Sequence, residues 1–348
     1  MKKIISLILA SLVCTFALGQ SSSSDFSEMS FGKDEKVVAT SAVGPQTVFV
    51  ALLNFPDRSL LTTRDEIVTA VNDMCSYYDV SSYHQNPLTP TVTVQVYMMP
   101  HPSTYYGNSS NRARISIDAR AVVSNDYGDV YNNYNHLMYC FPMIDKWGNT
   151  AYTSGKESWM NGRFNNGLFT HEMGHSFGLA HAHRWKPCDL SNPVDTCGTI
   201  AEYGDIWDVM GGQSILNDLN MYEKRLLGWL PIDKINQVTV SGVYRIYRFD
   251  DASALNNPIL ALSFPEPVTG KTFYVGYRYS RTQTRNGAYI IWGDNWSSRL
   301  INHNPQKQGA DSIWPIGSTL VDGGLRITPL RLGGVAPNTW MDVQVMLP

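Results

Sequence analysis

The chain carries little charge and has no strongly basic segment. Only 16% of its 348 residues are charged, and 27 Lys and Arg against 30 Asp and Glu leave a net charge of −3. Nucleic acids and anionic membrane surfaces attract clusters of Lys and Arg, so neither is expected as a partner. After the N-terminus, no apolar run approaches the ~18 residues of a membrane-spanning helix. We therefore expect a globular protein whose mature part has no membrane span.

Several familiar catalytic patterns are also absent. There is no Gly-x-Ser-x-Gly turn for a nucleophilic serine and no glycine-rich loop that would bind a phosphate. No Cys-x-x-Cys pair is present, which argues against a zinc site built from thiolates. The function must therefore depend on another residue pattern.

The N-terminus has the pattern of a secretory signal peptide. Met1-Lys2-Lys3 is basic, Ile4–Leu18 is almost entirely apolar, and Ala17-Leu18-Gly19 has the small residues of a cleavage site. A membrane anchor is the alternative, but the run is short for a spanning helix and a polar stretch follows it directly. We predict a signal peptide over residues 1–19, a Ser-rich linker over 20–35, and secretion to the extracellular space.

Removal of the signal peptide leaves four cysteines, an even number in an oxidising compartment. Four cysteines allow three pairings. We favour Cys188–Cys197, which closes a short local loop, and Cys75–Cys140 as the second bridge.

The most informative segment is residues 171–181, His-Glu-Met-Gly-His-Ser-Phe-Gly-Leu-Ala-His. His171 and His175 are four residues apart, so both lie on one face of a helix and can reach one metal ion. Gly178 can end that helix in a left-handed turn. The turn would bring His181 round as a third ligand.

Glu172 completes the chemistry of a hydrolytic zinc site. Three neutral imidazoles with an open fourth position are typical of catalytic Zn²⁺, and an adjacent carboxylate serves as general base. The alternative is an ordinary helix with a few core histidines. A chance match to the full pattern is expected in only on the order of one in 10⁵ such sequences. We therefore predict one Zn²⁺ bound by the three histidines, with Glu172 as the catalytic residue.

The segment before this motif mixes strand and helix patterns. Strands are predicted over 46–55, 91–99 and 135–143, from apolar or alternating runs rich in β-branched residues. Between the first two, Thr63 and Glu66 form the capping box of a helix.

Residues 124–135 are rich in Asn, Asp, Gly and Tyr. Asp126 and Asp129 are candidate calcium ligands, but they match no ligand loop of defined spacing. A solvated cluster of turns is the preferred interpretation, and a calcium site has no support.

The motif helix is predicted over 168–179, with Asn165 among its cap residues, and a short helix over 222–230. From Lys234 onwards short strands recur at regular spacing without a helix pattern. These strands are predicted over 237–248, 259–264, 272–279 and 288–291. We predict an α+β protein, with a domain over 36–233 and an antiparallel β-sandwich-like domain over 234–348.

The pattern His-Glu-x-x-His-x-x-Gly-x-x-His is the zinc signature of the metzincin metallopeptidases, and the chain resembles that family. Metzincins also carry a methionine in a tight turn beneath the metal. Asp208-Val209-Met210-Gly211-Gly212 resembles this turn. The resemblance implies that Met210 is an apolar floor of the histidine cluster and not a ligand.

Within the metzincins, the chain is most similar to the gametolysin-type peptidases. The similarity lies in Gly174, Tyr203-Gly204-Asp205, Leu227-Gly228-Trp229 and Ser158–Gly162, and it is strong over residues 150–230. It implies a catalytic domain with a mixed twisted sheet, a zinc helix on the floor of a cleft, and a β-rich tail.

The chain departs from the metzincin pattern in two respects. Some metzincins have a Tyr two residues after the turn methionine, where it assists the oxyanion, and this chain has Gly212. Tyr203 and His183 are candidates for that role, although a core or surface position is the ordinary expectation for each. The N-terminal stretch also has no Cys-containing segment of the kind that imposes latency.

Together these patterns predict a secreted zinc endopeptidase whose partner is an extracellular, matrix or cell-wall protein or peptide. The alternative is a non-catalytic adhesion or carbohydrate-binding protein on a former peptidase scaffold. Its binding surface would contain Trp292, Trp296 and Trp314. The intact ligands and base argue against this alternative, because an enzyme that has lost its activity usually loses such residues first.

Overall fold

The computed structural model describes residues 42–348, apart from 149, 192, 195–196, 216, 266, 268–269, 279–286, 295–296 and 305–312. The predicted signal peptide and linker therefore lie outside the described residues. Among the helices that are described, none is both long enough and apolar enough to cross a bilayer. The described part of the chain belongs to the α+β class, as predicted.

A mixed sheet forms the N-terminal part of the fold. Its strands are β1 (Gln46–Asn54), β2 (Leu88–Val92), β3 (Tyr97–Met98), β4 (His136–Phe141), β5 (Ala151–Ser154) and β6 (Glu157–Asn161). β1 runs parallel to β2, β3 and β4, and β4 runs parallel to β6. β5 pairs antiparallel with β6 and ends the strand order. The predicted strands over 46–55 and 135–143 are confirmed, whereas β2 and β3 replace the single strand predicted over 91–99.

Seven α-helices lie in the described part of the chain. They are α1 (Arg64–Ser81), α2 (Ser103–Tyr106), α3 (Arg114–Tyr127), α4 (Val130–Asn133), α5 (Asn166–Ser176), α6 (Val209–Gly212) and α7 (Met221–Leu226). The predicted capping box of α1 is confirmed, because Thr63 and Glu66 each accept a hydrogen bond from the other's backbone amide. The helices predicted over 168–179 and 222–230 correspond to α5 and α7.

The sequence pattern did not indicate α3. Its Ile115, Ala119 and Val123 are fully buried against one face of the first sheet. Polar residues separate them along the chain, so the apolar pattern in the sequence is weak. The turn cluster predicted over 124–135 is therefore wrong in its first part, because α3 continues to Tyr127.

The two aspartates considered as calcium ligands have structural partners. Asp126 accepts a hydrogen bond from the Tyr97 hydroxyl, and Asp129 caps α4 by accepting from the Asn132 amide at 3.2 Å. Both carboxylates thus hold local structure together.

The remaining strands form two further sheets. They are β7 (Ala182–Lys186), β8 (Thr199–Ala201), β9 (Ile235–Gln237), β10 (Gly242–Tyr247), β11 (Ala261–Pro265), β12 (Thr272–Gly276), β13 (Gly287–Asp294), β14 (Ser297–Ile301), β15 (Trp314–Pro315), β16 (Leu320–Asp322), β17 (Leu325–Gly333) and β18 (Trp340–Met346). The second sheet has the order β8-β7-β14-β13-β12-β11-β9, with β15 beside β13. The third has the order β10-β18-β17-β16.

The second and third sheets enclose one apolar core, as a sandwich does. Phe264, Val275 and Ile290 of the second sheet share it with Ile327 and Val343 of the third. Most strand pairs are antiparallel, but the β7–β14 and β9–β11 pairs are parallel. The expected antiparallel pattern therefore holds only in part.

The second sheet crosses the domain boundary predicted at residue 234. β7 and β8 precede that boundary, yet β7 pairs directly with β14. The opposite face of the same sheet contributes Ala261, Ile291 and Leu300 to the core that also contains α1 and α5. The described residues consequently form one compact unit.

One of the two predicted disulfides is confirmed and the other is wrong. Cys188 and Cys197 are bonded, with their Cα atoms 5.8 Å apart, in the connection between β7 and β8. Cys75 of α1 and Cys140 of β4 are free and buried in the core between helix and sheet. Burial raises the pKa of Cys75 to about 12 and that of Cys140 above its usual value, so both remain thiols. An even cysteine count does not require that all cysteines pair, because a buried thiol also serves as a small apolar side chain.

We expect a chain that ends at residue 233 to lose its cooperative unfolding transition. Without β14, β7 has no partner on that edge, and the core beneath α1 and α5 loses the side chains of the second sheet. Thermal unfolding followed by near-ultraviolet circular dichroism tests this against the full mature chain. A sharp transition of the shortened chain, within about 5 °C of the full chain, would show that residues before 234 fold independently.

Candidate metal centre

The helix that carries the motif begins and ends where its sequence directs. Asn165 is its N-cap, and the Asn165 side-chain oxygen accepts a hydrogen bond from the Leu168 amide at 2.9 Å. At the other end Gly178 has a φ of 96°, a left-handed conformation that glycine adopts without strain. The Gly178 amide donates to the His175 carbonyl at 2.8 Å. The chain turns there and carries His181 back towards the helix.

The three predicted ligand side chains come together. The Nε2 atoms of His171 and His181 each lie 3.1 Å from the Nε2 atom of His175. One nitrogen of each ring lies within 4.8 Å of the others. In the part of the chain that the structure describes, these three residues form the group of side chains that could hold a metal ion.

Hydrogen bonds on the far side of each ring fix its tautomer. Each Nδ1 donates to an oxygen: His171 to the Val209 carbonyl at 2.9 Å, His175 to the Leu179 carbonyl at 2.8 Å, and His181 to the Glu202 carboxylate at 3.0 Å. These oxygens only accept, so the proton of each neutral ring is on Nδ1. Three Nε2 lone pairs therefore point at each other and would repel. A cation between them removes that repulsion, so the residues present fit a metal ion.

Burial keeps the three rings neutral, which is the form that binds a metal. It lowers the pKa of His171 to about 3 and the pKa of His181 to about 2, and it also lowers the pKa of His175. The neighbouring imidazoles add to the effect at His171 and His181, because two close cations would repel. The donor set is thus three neutral nitrogens, as in catalytic zinc sites.

Glu172 is held by the first sheet. Its carboxylate is buried, and its Oε2 atom accepts a hydrogen bond from the Thr153 hydroxyl of β5 at 2.5 Å. Burial raises the pKa of Glu172 to about 7, and the Thr153 hydrogen bond opposes the rise. A carboxyl group with a pKa near neutrality can both take up and release a proton at physiological pH.

Met210 lies directly against the motif helix. It is fully buried in α6, and a Cβ atom added to Gly174 of α5 would overlap the Met210 Sδ atom. The close approach of these two elements explains why glycine occupies position 174. The carbonyl of the preceding residue, Val209, is the acceptor for His171, so the same short turn contacts both the motif helix and the cluster.

The turn leaves no room for a side chain at position 212. A Cβ atom on Gly212 would lie 2.8 Å from the Ile206 carbonyl oxygen. A tyrosine there would require the backbone to move. The packing of this turn therefore accounts for glycine at the position where some metzincins have tyrosine.

The two candidates for oxyanion assistance lie at different distances from the cluster. The Tyr203 ring centroid is 4.0 Å from that of His181, and Tyr203 has a φ of 54°, which is strained for a residue with a side chain. Burial raises the pKa of Tyr203 to about 12, so its hydroxyl keeps its proton. The His183 ring centroid is 6.3 Å from that of His181, and burial lowers the pKa of His183 to about 4.

A buried polar network fixes the turn that contains Met210. Asp208 accepts hydrogen bonds from the Met210 amide at 2.8 Å and from the Asn220 amide at 2.6 Å. Arg278, two residues after β12, lies 3.8 Å from the Asp208 carboxylate and donates to the Trp207 carbonyl at 2.5 Å. Burial raises the pKa of Asp208, and the nearby guanidinium opposes that rise.

Sequence reasoning missed three residues with direct roles at the site, namely Thr153, Glu202 and Arg278. Each is far along the chain from the group that it contacts, and none belongs to a short motif. Only the pairing of strands and the packing of the turn bring them into place.

No protein-family model matches the chain, and no curated protein matches it either. The resemblance to metzincins therefore depends on the motif residues and on their arrangement.

We expect Gly174→Ala to lower the free energy of unfolding by about 2 kcal/mol, because overpacking at a rigid contact has costs of this size. The new methyl group would overlap Met210 and would lie 3.2 Å from the Tyr78 hydroxyl. Urea unfolding of the metal-free protein measures the change. Gly107→Ala is the matched control, because its Cβ would make only ordinary contacts at 3.4 Å. Equal stability of the two variants would contradict the close packing of Met210.

We expect Glu202→Ala to weaken zinc binding by about tenfold, the lower end of the range for residues that orient metal ligands. The Glu202 side chain is 60% exposed, so water partly replaces it as the acceptor for His181. Competition with a chromophoric chelator measures the affinity. Glu202→Gln keeps an acceptor oxygen, so its zinc affinity should lie between those of the wild type and the alanine variant. Wild-type affinity of the alanine variant would show that this contact does not support the ligand.

Proposed function

We propose that the protein is a secreted, zinc-dependent endopeptidase of the metzincin type. One observation carries the proposal, namely the convergence of the Nε2 atoms of His171, His175 and His181 beside the helix that carries the buried carboxylate of Glu172. A metal held by three imidazoles beside a general base is the arrangement of hydrolytic zinc sites.

Zinc is the metal that suits this donor set, because it accepts three nitrogens in a tetrahedral site with one position open. When bound, it supplies a Lewis acid that lowers the pKa of a coordinated water from 15.7 to roughly 7. His171, His175 and His181 would hold it, and their Nδ1 hydrogen bonds would keep the rings in position.

Glu172 would move the protons of the reaction. Its carboxylate would take a proton from the attacking water and return it to the departing amine. Its burial keeps bulk solvent away from that exchange, and Thr153 holds one of its oxygens.

The strand β5 supports a polypeptide as the substrate. β5 ends the first sheet, pairs with β6 on one side only among the described residues, and contacts Glu172 through Thr153. An exposed strand edge binds an extended peptide through main-chain hydrogen bonds. A peptide added there would lie next to the catalytic carboxylate.

The proposed metzincin family is supported by the position of the turn that contains Met210, after His181. Met210 packs beneath Gly174, and the Val209 carbonyl holds His171. Both contacts join the turn to the motif helix, as the family resemblance implies.

Secretion draws support from two features. The Cys188–Cys197 disulfide fits an oxidising compartment, and the N-terminal residues have the pattern of a signal peptide.

The carbohydrate-binding alternative finds little support at its tryptophans. Trp292 and Trp314 are 1% and 2% exposed, and Trp296 lies outside the described residues. Two rings of the expected binding surface are therefore core side chains that a glycan cannot reach.

We expect mature protein to contain one zinc ion per chain and to cleave casein, with the activity lost on chelation and restored by added zinc. Glu172→Ala should keep the zinc and lose at least 10³-fold in kcat, because it removes the general base. Glu66→Ala, an exposed carboxylate at the start of α1, is the control and should cleave like the wild type. Zinc-loaded wild type that cleaves no faster than Glu172→Ala would overturn the proposed function.

A further inference from the structure

Two hydroxyl side chains of the β5–β6 pair stand in line with the Glu172 carboxylate. Thr153 and Ser158 face each other across the antiparallel pair, and their hydroxyl oxygens are 2.8 Å apart. The Thr153 oxygen is also 2.5 Å from Glu172 Oε2 and 3.3 Å from the Glu172 carbonyl oxygen. All three residues are buried.

The number of protons determines the direction of these hydrogen bonds. The Thr153 hydroxyl has one proton, and an ionised carboxylate can only accept. Donation from Thr153 to Glu172 gives a charge-assisted bond, which is stronger than a bond between two neutral hydroxyls. Ser158 then donates to Thr153, so both hydroxyl protons have an acceptor.

Such a contact restricts a flexible side chain. Glutamate has three rotatable bonds, and a buried carboxylate oxygen without a partner is costly. The short bond to Thr153 holds Oε2 against β5, and the contact with the Glu172 carbonyl connects the same hydroxyl to the backbone of α5. Only Oε1 is then left for the proton transfer.

We propose that Thr153, supported by Ser158, is a positioning residue that holds one oxygen of Glu172 and presents the other to the reaction. This role rests on the proposed peptidase function. Because Thr153 belongs to β5, the strand that would bind the peptide also sets the position of the general base. Substrate and base are thereby placed by one element.

Steady-state kinetics of zinc-loaded protein test the proposal. Thr153→Val keeps the shape of the side chain and removes the hydroxyl, and we expect kcat to fall about 10- to 100-fold with KM within about twofold. Thr153→Ser restores the hydroxyl and should recover activity to within about threefold of wild type. Thr93→Val is the matched control, because Thr93 is equally buried and accepts from the Leu52 amide at 3.0 Å, away from the site.

A stability measurement provides a readout that is independent of turnover. In the metal-free protein, Thr153→Val should lower Tm by about 2 °C or more, and by clearly less when Glu172 is already alanine. This non-additivity reports the contact between Thr153 and Glu172 itself. A structural role of Thr153 that does not involve Glu172 would not produce it.

The possible failures can be told apart. Thr153→Val with wild-type kcat, or with a loss that Thr153→Ser does not recover, overturns the positioning role while the peptidase function stands. Equal Tm losses in both backgrounds also overturn it. Zinc-loaded wild type without proteolysis overturns the peptidase function, and the positioning role of Thr153 in that reaction with it.

Discussion

The centre depends on one constraint, which is that three imidazole rings direct unprotonated nitrogens at a common point. Lone pairs 3.1 Å apart repel, so a cation between them would stabilise the arrangement, and the rings must be prevented from rotating. Rotation is prevented by one hydrogen bond on the far nitrogen of each ring. The acceptors are the Val209 carbonyl in α6, the Leu179 carbonyl after α5 and the Glu202 carboxylate after β8.

The rest of the fold can be understood as support for those acceptors and for the base. The turn that presents Val209 is held by Asp208. The Asp208 carboxylate accepts a hydrogen bond from the Asn220 amide before α7, and Arg278 after β12 lies beside it. The strand that follows the third ligand pairs with β14 from the C-terminal part, and the Ser297 hydroxyl donates to the His181 carbonyl at 3.0 Å. The first sheet supplies Thr153, whose hydroxyl donates to the Glu172 carboxylate. The C-terminal strands therefore belong to the structure of the centre and are more than an appended tail.

Local patterns predicted well wherever one short segment contains all the interacting groups. The capping box of α1 and the loop disulfide at Cys188 are of this kind, because their partners are a few residues apart. Predictions failed where the partner is distant. α3 has too weak an apolar face to be seen without the sheet that covers it.

The sequence by itself indicated which residues form the centre. Three local features can be recognised without knowledge of distant contacts. They are the spacing of the histidines on one helical turn, the glutamate beside the first, and the glycine that ends the helix. Only the tertiary structure decided which protons those rings carry and where the carboxylate is held. These properties depend on Val209, Glu202 and Thr153, whose contacts arise from the packing of a turn and the pairing of strands. Tautomer and orientation are set by partners in space, and sequence spacing does not record them.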